Sequence, residues 1–64
     1  MNITLNGQTH QTEAADVGTL VADITGGSTG IAVAVNGQVV PASDWSRPLA
    51  DDDRVDILTA VQGG

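Results

Sequence analysis

Two glycines, Gly63 and Gly64, are the residues of this chain that are the best candidates for taking part in a reaction. They follow an apolar, strand-like run. Glycine has no Cβ, so a pair of glycines forms a thin stalk that adopts any φ and fits a narrow channel. A carboxylate at the end of that stalk is a poor acyl donor until a partner activates it with ATP. Since the chain contains no P-loop and no glycine-rich loop with a lysine, we expect no catalytic residue within it.

The other conspicuous side chains favour structural interpretations. His10 is predicted to be an exposed histidine on a polar strand, because there is no cysteine or second histidine to complete a metal site. The acids Asp51–Asp53 do not have the spacing of a calcium-binding EF-hand loop; they are read as a solvated turn, and a docking role stays open. Trp45, the only aromatic residue, is predicted to cover the thin end of the core, with a binding hot spot as the alternative.

Length and charge limit the function. A chain of 64 residues makes one domain, 1–64, and a domain of this size buries only about 60% of its unfolded surface, which leaves no room for a deep pocket. The formal net charge of −6 argues against nucleic acid and anionic membranes as binding partners, because both bind proteins through lysine and arginine. The lack of cysteine, of a signal peptide and of a long apolar segment predicts a cytoplasmic protein that meets protein partners.

Alternating apolar residues predict the strands that hold the tail. The segments 1–6 and 31–35 each alternate, and each is followed by an Asn-Gly pair of the kind found in type I′ hairpins, Asn6-Gly7 and Asn36-Gly37. The segments 8–13 and 38–40 are therefore predicted to return as strands, the second ending at Pro41. A last strand over 54–61 leads into a flexible tail, 62–64.

One short helix is predicted between the two hairpins. Val17, Leu20, Val21 and Ile24 fall at i, i+3, i+4 and i+7, which is one apolar stripe of a helix. Asp16 is a suitable N-cap, and the pair Gly26-Gly27 ends the helix.

The order β-β-α-β-β-β predicts an α+β protein of the β-grasp, ubiquitin-like type, with a mixed sheet of four to five strands and one helix across one face. The predicted core consists of the helix stripe, Leu49 from the irregular segment and the inward strand residues, namely Ile3, Leu5, Ile31, Val33, Val35, Val55 and Ile57. The same register turns four apolar side chains outward on the third and last strands, namely Ala32, Ala34, Leu58 and Ala60. Because this small flat patch leads directly to Gln62 and the glycines, we predict that it binds a partner.

The segment "VNGQVVPASDW…LADDDRVDILTAVQGG" resembles the C-terminal half of the thiamin-biosynthesis sulfur carriers, the ThiS family. The shared features are "VNG", "VVP" with Trp45 four residues after Pro41, the passage "PL-x-D-x-D-x-V-x-I", and the Gly-Gly end. The start "MNITLNG" and the chain length also fit, so that the resemblance covers essentially the whole chain.

This resemblance implies a carrier and not an enzyme. In that family an E1-like adenylyltransferase uses ATP and Mg²⁺ to adenylate the terminal glycine, which here is Gly64. The product becomes a thiocarboxylate that donates sulfur to thiazole synthase. The chain departs from the family at two positions, because Asp52 stands where a glycine is usual and Ala42 where a basic residue is frequent.

Two further functions stay open. A sulfur carrier of molybdopterin synthesis or of tRNA thiolation would use the same chemistry in another pathway. A small β-grasp binding module, in which the Gly-Gly end is incidental, would use none of it.

Overall fold

The computed structural model describes residues 1–26 and 30–59, and within these ranges the chain follows the predicted order of elements. The strands and helices are β1 (Asn2–Leu5), β2 (Gln8–Gln11), α1 (Val17–Thr25), β3 (Ile31–Val35), β4 (Gln38–Val39), a 3₁₀ turn (Ala42–Asp44) and β5 (Arg54–Thr59). The predicted continuation of the last strand to residue 61 lies outside the described residues. No helix in the described ranges is both long and apolar enough to cross a membrane.

The strands form one mixed sheet, which for the described residues has five strands in the order β2-β1-β5-β3-β4. β5 is the central strand, because it pairs in parallel with β1 and antiparallel with β3. The two hairpins lie on either side of it. This is the predicted β-grasp arrangement, in which the last strand returns between the first and the third.

Both Asn-Gly pairs form the predicted hairpin turns. Asn6 and Asn36 have φ values of 50° and 52°, and the glycines that follow them have φ values of 82° and 84°. Two consecutive residues with positive φ define a type I′ turn, whose twist matches that of the flanking strands. The turns therefore set the strand register that decides which side chains face the helix.

The segment that precedes β5 accepts hydrogen bonds from the first turn of α1. The Val17 and Gly18 N–H groups donate to the carbonyl oxygens of Arg47 and Trp45, at 3.1 and 2.8 Å. The Thr19 N–H donates to the Asp16 carboxylate at 2.8 Å, which confirms Asp16 as the N-cap. The donors that a helix start leaves without an intrahelical partner are thus satisfied.

At its other end α1 stops at Gly26, which has a φ of 74° and donates its N–H to the Ala22 carbonyl at 2.8 Å. A left-handed glycine at this position is a common helix end. Gly26 therefore ends the helix as predicted, and Gly27 lies outside the described residues.

The core lies between α1 and one face of the sheet. Its buried apolar residues, within the described ranges, are Ile3, Ala14, Val17, Leu20, Val21, Val33, Val35, Val40, Leu49, Val55 and Ile57. Leu5 and Ile31 are half-buried and pack against them. Ala14 and Val40 were not predicted, since neither belongs to a periodic apolar run.

The prediction that Ile24 belongs to the core is wrong, because its side chain is 41% exposed. Ile24 lies two turns after Val17 on the same face of α1, roughly 10 Å further along the axis. A domain of this size has too little apolar mass to cover a stripe of that length. The helix therefore packs through its first two turns only.

Trp45 covers the edge of the core, as predicted. Its side chain is half-buried and packs against the core cluster, and its indole Nε1–H donates to the Val40 carbonyl at 3.1 Å. The 3₁₀ turn Ala42–Asp44 lies directly before it.

Candidate functional site

The sheet face opposite α1 carries an apolar surface at the end of the central strand. Leu58 on β5 is 70% exposed, and Ala32 on β3 is its direct cross-strand partner. Ala34 lies on the same face of β3, two residues further along. The predicted register is therefore confirmed, since Leu58 points away from the helix.

Val39 on β4 extends this surface, although the sequence reasoning missed it. It is 79% exposed and pairs directly with Ala34. The signal was present, because a two-residue turn at Asn36-Gly37 places Val39 opposite Ala34 and hence on the same face. We call the set Ala32, Ala34, Val39 and Leu58 the outer patch.

The outer patch borders a depression of about 120 Å³ that Asp56 also lines. Small-molecule pockets usually measure about 300–1,000 Å³, so this depression suits a protruding side chain better than a cofactor. The small side chains of Ala32 and Ala34 let another surface approach the backbone closely.

Asparagine side chains in the two hairpin turns hold β5 in place from both sides. The Ile57 N–H donates to Asn6 Oδ1 at 2.8 Å, and the Asn6 N–H donates to the Val55 carbonyl at 2.9 Å. On the other side, the Arg54 N–H donates to Asn36 Oδ1 at 2.9 Å. The backbone pairing of β1 with β5 ends at Leu5 and Val55. The Asn6 side chain adds one more hydrogen bond, to Ile57, and so fixes β5 beyond that pair.

The acidic turn Asp51–Asp53 has a structural role. Asp51 accepts the Asn2 N–H at 2.8 Å, and Asp53 accepts the Ala50 N–H at 2.9 Å. The bond from Ala50, and then one from the Asn36 side chain, hold the pKa of the Asp53 carboxyl below its ordinary value. The Asp16 pKa is lowered in the same way by the Thr19 N–H.

Asp52, which stands where the family usually has a glycine, occupies a turn position with positive φ. Its φ is 69°, in the left-handed region that glycine adopts freely. The backbone N–H of Asp52 donates to the Asn2 carbonyl at 2.7 Å, which holds the turn in this conformation.

No group of three potential metal-ligating side chains exists among the residues that the structure describes. His10 is half-buried and not exposed as predicted. It lies opposite Ile3 in the β1–β2 pair, and cross-strand partners share a face of the sheet, here the face that carries the core.

Four of the predicted site residues, Ala60, Gln62, Gly63 and Gly64, lie outside the described residues. Their roles stay predictions. The same holds for the partner-binding role of Ala32, Ala34 and Leu58, although the structure brings these three together at the end of β5.

Comparison with known structures identifies the class of protein. The crystal structure of the thiamine biosynthesis protein (ThiS) from Geobacter metallireducens is similar to the chain with a TM-score of 0.81 and 26% sequence identity, over 100% of both chains. The solution NMR structure of a thiamine biosynthesis protein from the same organism gives the same TM-score and identity, covering 100% of this chain and 88% of the other. No curated protein sequence matches the chain significantly.

The fold and the site define a small β-grasp protein with an apolar sheet face beside the end of its central strand. The ThiS family model matches residues 3–64. The chain belongs to the ThiS family.

Proposed function

We propose that this chain is a sulfur carrier in thiamin biosynthesis, working in the cytoplasm, and that the carboxylate of Gly64 carries the sulfur. The observation that supports this most directly is the family match, which extends through residue 64 and so includes both glycines. The chain acts as a substrate of its partner enzymes and supplies no catalytic group.

The proposed cycle has three steps. An E1-like adenylyltransferase binds ATP and Mg²⁺, and the Gly64 carboxylate attacks the α-phosphorus, which releases pyrophosphate. A sulfur nucleophile then replaces AMP on the acyl carbon, and a thiocarboxylate results. Thiazole synthase takes the sulfur from this group while the thiazole ring is built.

In this cycle Gly63 and Gly64 form the stalk that enters the partner's active site. Their missing Cβ atoms let the backbone approach the reacting centre closely. The domain delivers the tail, since β5 is paired on both sides in the sheet.

Three changes in the tail test this proposal. Deletion of Gly64 and addition of one residue after it should each abolish adenylation, because either change displaces the reacting carbon. Gly63→Ala should react slowly, because its Cβ must enter the channel. Adenylation is followed by partner-dependent pyrophosphate exchange, and thermal melting should show all three variants folded as stably as the parent.

Loading with sulfur is tested by co-expression with the E1-like partner and intact-mass analysis. We expect a mass gain equal to the replacement of one oxygen by sulfur. A parent chain that neither exchanges pyrophosphate nor gains this mass is a binding module with an incidental Gly-Gly end. A loaded chain that does not transfer sulfur to thiazole synthase belongs to another thiolation pathway.

We propose further that the outer patch, continued by Ala60 and Gln62, is where the partner docks. Leu58→Asp places a charge in this surface and should weaken binding to the adenylyltransferase more than tenfold, about 1.4 kcal/mol or more. Ile24→Asp is the matched control, because it adds the same charge at an exposed apolar residue on the helix side of the sheet. Equal affinities of the two variants would exclude the outer patch as the docking surface.

A further inference from the structure

Asp56 is a carboxylate set among the residues of the outer patch. It lies on β5 directly opposite Ala34, and Ala34 in turn lies opposite Val39. The Asp56 side chain is half-buried and lines the same depression as Leu58. The sequence reasoning did not single it out, although strand alternation places it on this face.

The Asp56 carboxylate has no hydrogen-bond or ion-pair partner among residues 1–26 and 30–59. This distinguishes it from Asp16, Asp51 and Asp53, which accept backbone N–H groups. It is therefore a charge available to another molecule.

A protein that covers the outer patch also removes water from Asp56. Burying an ionised carboxylate without a partner is strongly unfavourable, whereas pairing it with a guanidinium or an ammonium forms a strong charge-assisted hydrogen bond. The unpaired Asp56 thus favours binding of partners that place a cation beside it and disfavours binding of partners whose surface there is purely apolar. The net charge of −6 acts in the same direction, because it steers the chain towards basic surfaces.

We propose that Asp56 determines partner specificity, and that the protein docking on the outer patch presents an arginine or lysine side chain to it. The inference rests on the proposed function and names the partner's chemistry at the docking surface. The partner is then an apolar surface with one cationic side chain that reaches between Ala34 and Leu58.

The test measures the affinity of the adenylyltransferase from the same organism for Asp56→Leu, Asp56→Asn and Asp23→Asn. Asp23→Asn is the matched control, because it removes one charge from an exposed acid on α1, on the other side of the sheet. We expect both Asp56 variants to weaken binding by more than about tenfold, since both remove the negative charge that balances the partner's cation. Asp23→Asn should change it by less than about twofold.

Asp56→Leu gives the sharpest result, because it enlarges the apolar surface. Binding as tight as that of the parent, or tighter, would show that the partner presents no cation and would overturn the proposal. Loss of affinity with Asp56→Leu but not with Asp56→Asn would also overturn it, since a neutral acceptor then suffices and the charge is not needed. Melting curves of the variants confirm that the sheet is intact.

The same preparations separate the two proposals. If the parent chain supports pyrophosphate exchange while the Asp56 variants bind like Asp23→Asn, only the role of Asp56 fails. If the parent chain supports no exchange and does not bind the enzyme, the proposed function and this inference fail together.

Discussion

Replacement of Asn6 tests whether its side chain holds the central strand. Asn6→Ala puts alanine, which tolerates a φ of 50° less well than asparagine, in the turn and leaves the Ile57 N–H without its acceptor. The left-handed conformation costs alanine up to about 1 kcal/mol more than asparagine, and the unsatisfied N–H costs about 1–3 kcal/mol, which together give about 1–4 kcal/mol. The free energy of unfolding of a domain this size is about 3–10 kcal/mol, so the loss is large.

Two further variants separate the contributions. Asn6→Gly removes the acceptor but adopts the φ freely, so we expect a loss of about 1–3 kcal/mol. Asn6→Asp keeps an oxygen acceptor and should stay within about 1 kcal/mol of the parent. Asn36→Gly is the matched control, because its bond to the Arg54 N–H is exposed and water can replace the lost acceptor.

Urea unfolding followed by the fluorescence of Trp45, which is half-buried in the folded protein, measures these free energies. Hydrogen exchange of the Ile57 amide reports the bond itself and should accelerate in Asn6→Gly. The reasoning is refuted if Asn6→Gly loses less than about 0.5 kcal/mol, below the range of a net hydrogen-bond contribution, and the Ile57 amide exchanges as in the parent.

Two more predictions concern the acidic turn. The folded-state pKa of Asp53 is lowered, so its contribution to stability is complete above its unfolded pKa of about 3.9 and is lost as pH falls through the lower folded value. Urea midpoints measured from about pH 5 downwards should therefore fall less steeply with pH in Asp53→Asn than in the parent. An identical slope would contradict this. Asp52→Gly removes a side chain at a φ of 69° and should raise the free energy of unfolding by up to about 1 kcal/mol, with a lower melting temperature as the contrary result.

The order of the elements followed from sequence because each depends on local periodicity. Alternation in β1, β3 and β5 and the two Asn-Gly turns are visible without any tertiary information. The exposure of Ile24 could not be predicted in this way, because it depends on where the core ends and not on the helix period. The position of Asp52 at positive φ was suggested only by the comparison with a glycine in the family pattern.

Side-chain hydrogen bonds across the chain were not predictable. Asn6 and Asn36 were assigned to turns for their backbone preference, yet their amide oxygens accept N–H groups 51 and 18 residues away in sequence. The outward positions of Val39 and Asp56 could have been predicted from the sequence, since the turn length and the strand period together place both residues on the outer face. A search for apolar side chains on the outward face of β3 and β5 does not single out a charged residue there, and Asp56 is such a residue.

The position of the outer patch on the central strand gives the docking surface a geometric consequence. Leu58 lies one residue before Thr59, the last described residue of β5, and Asn6 fixes that strand at Ile57. A partner that docks on Leu58 therefore determines where the tail begins. The five residues after Thr59 span at most about 18 Å when fully extended. The adenylating centre of a partner bound at the outer patch must then lie within that distance of Thr59. A partner that docks on the helix side of the sheet must extend past the edge of the sheet to place its adenylating centre near the same carboxylate.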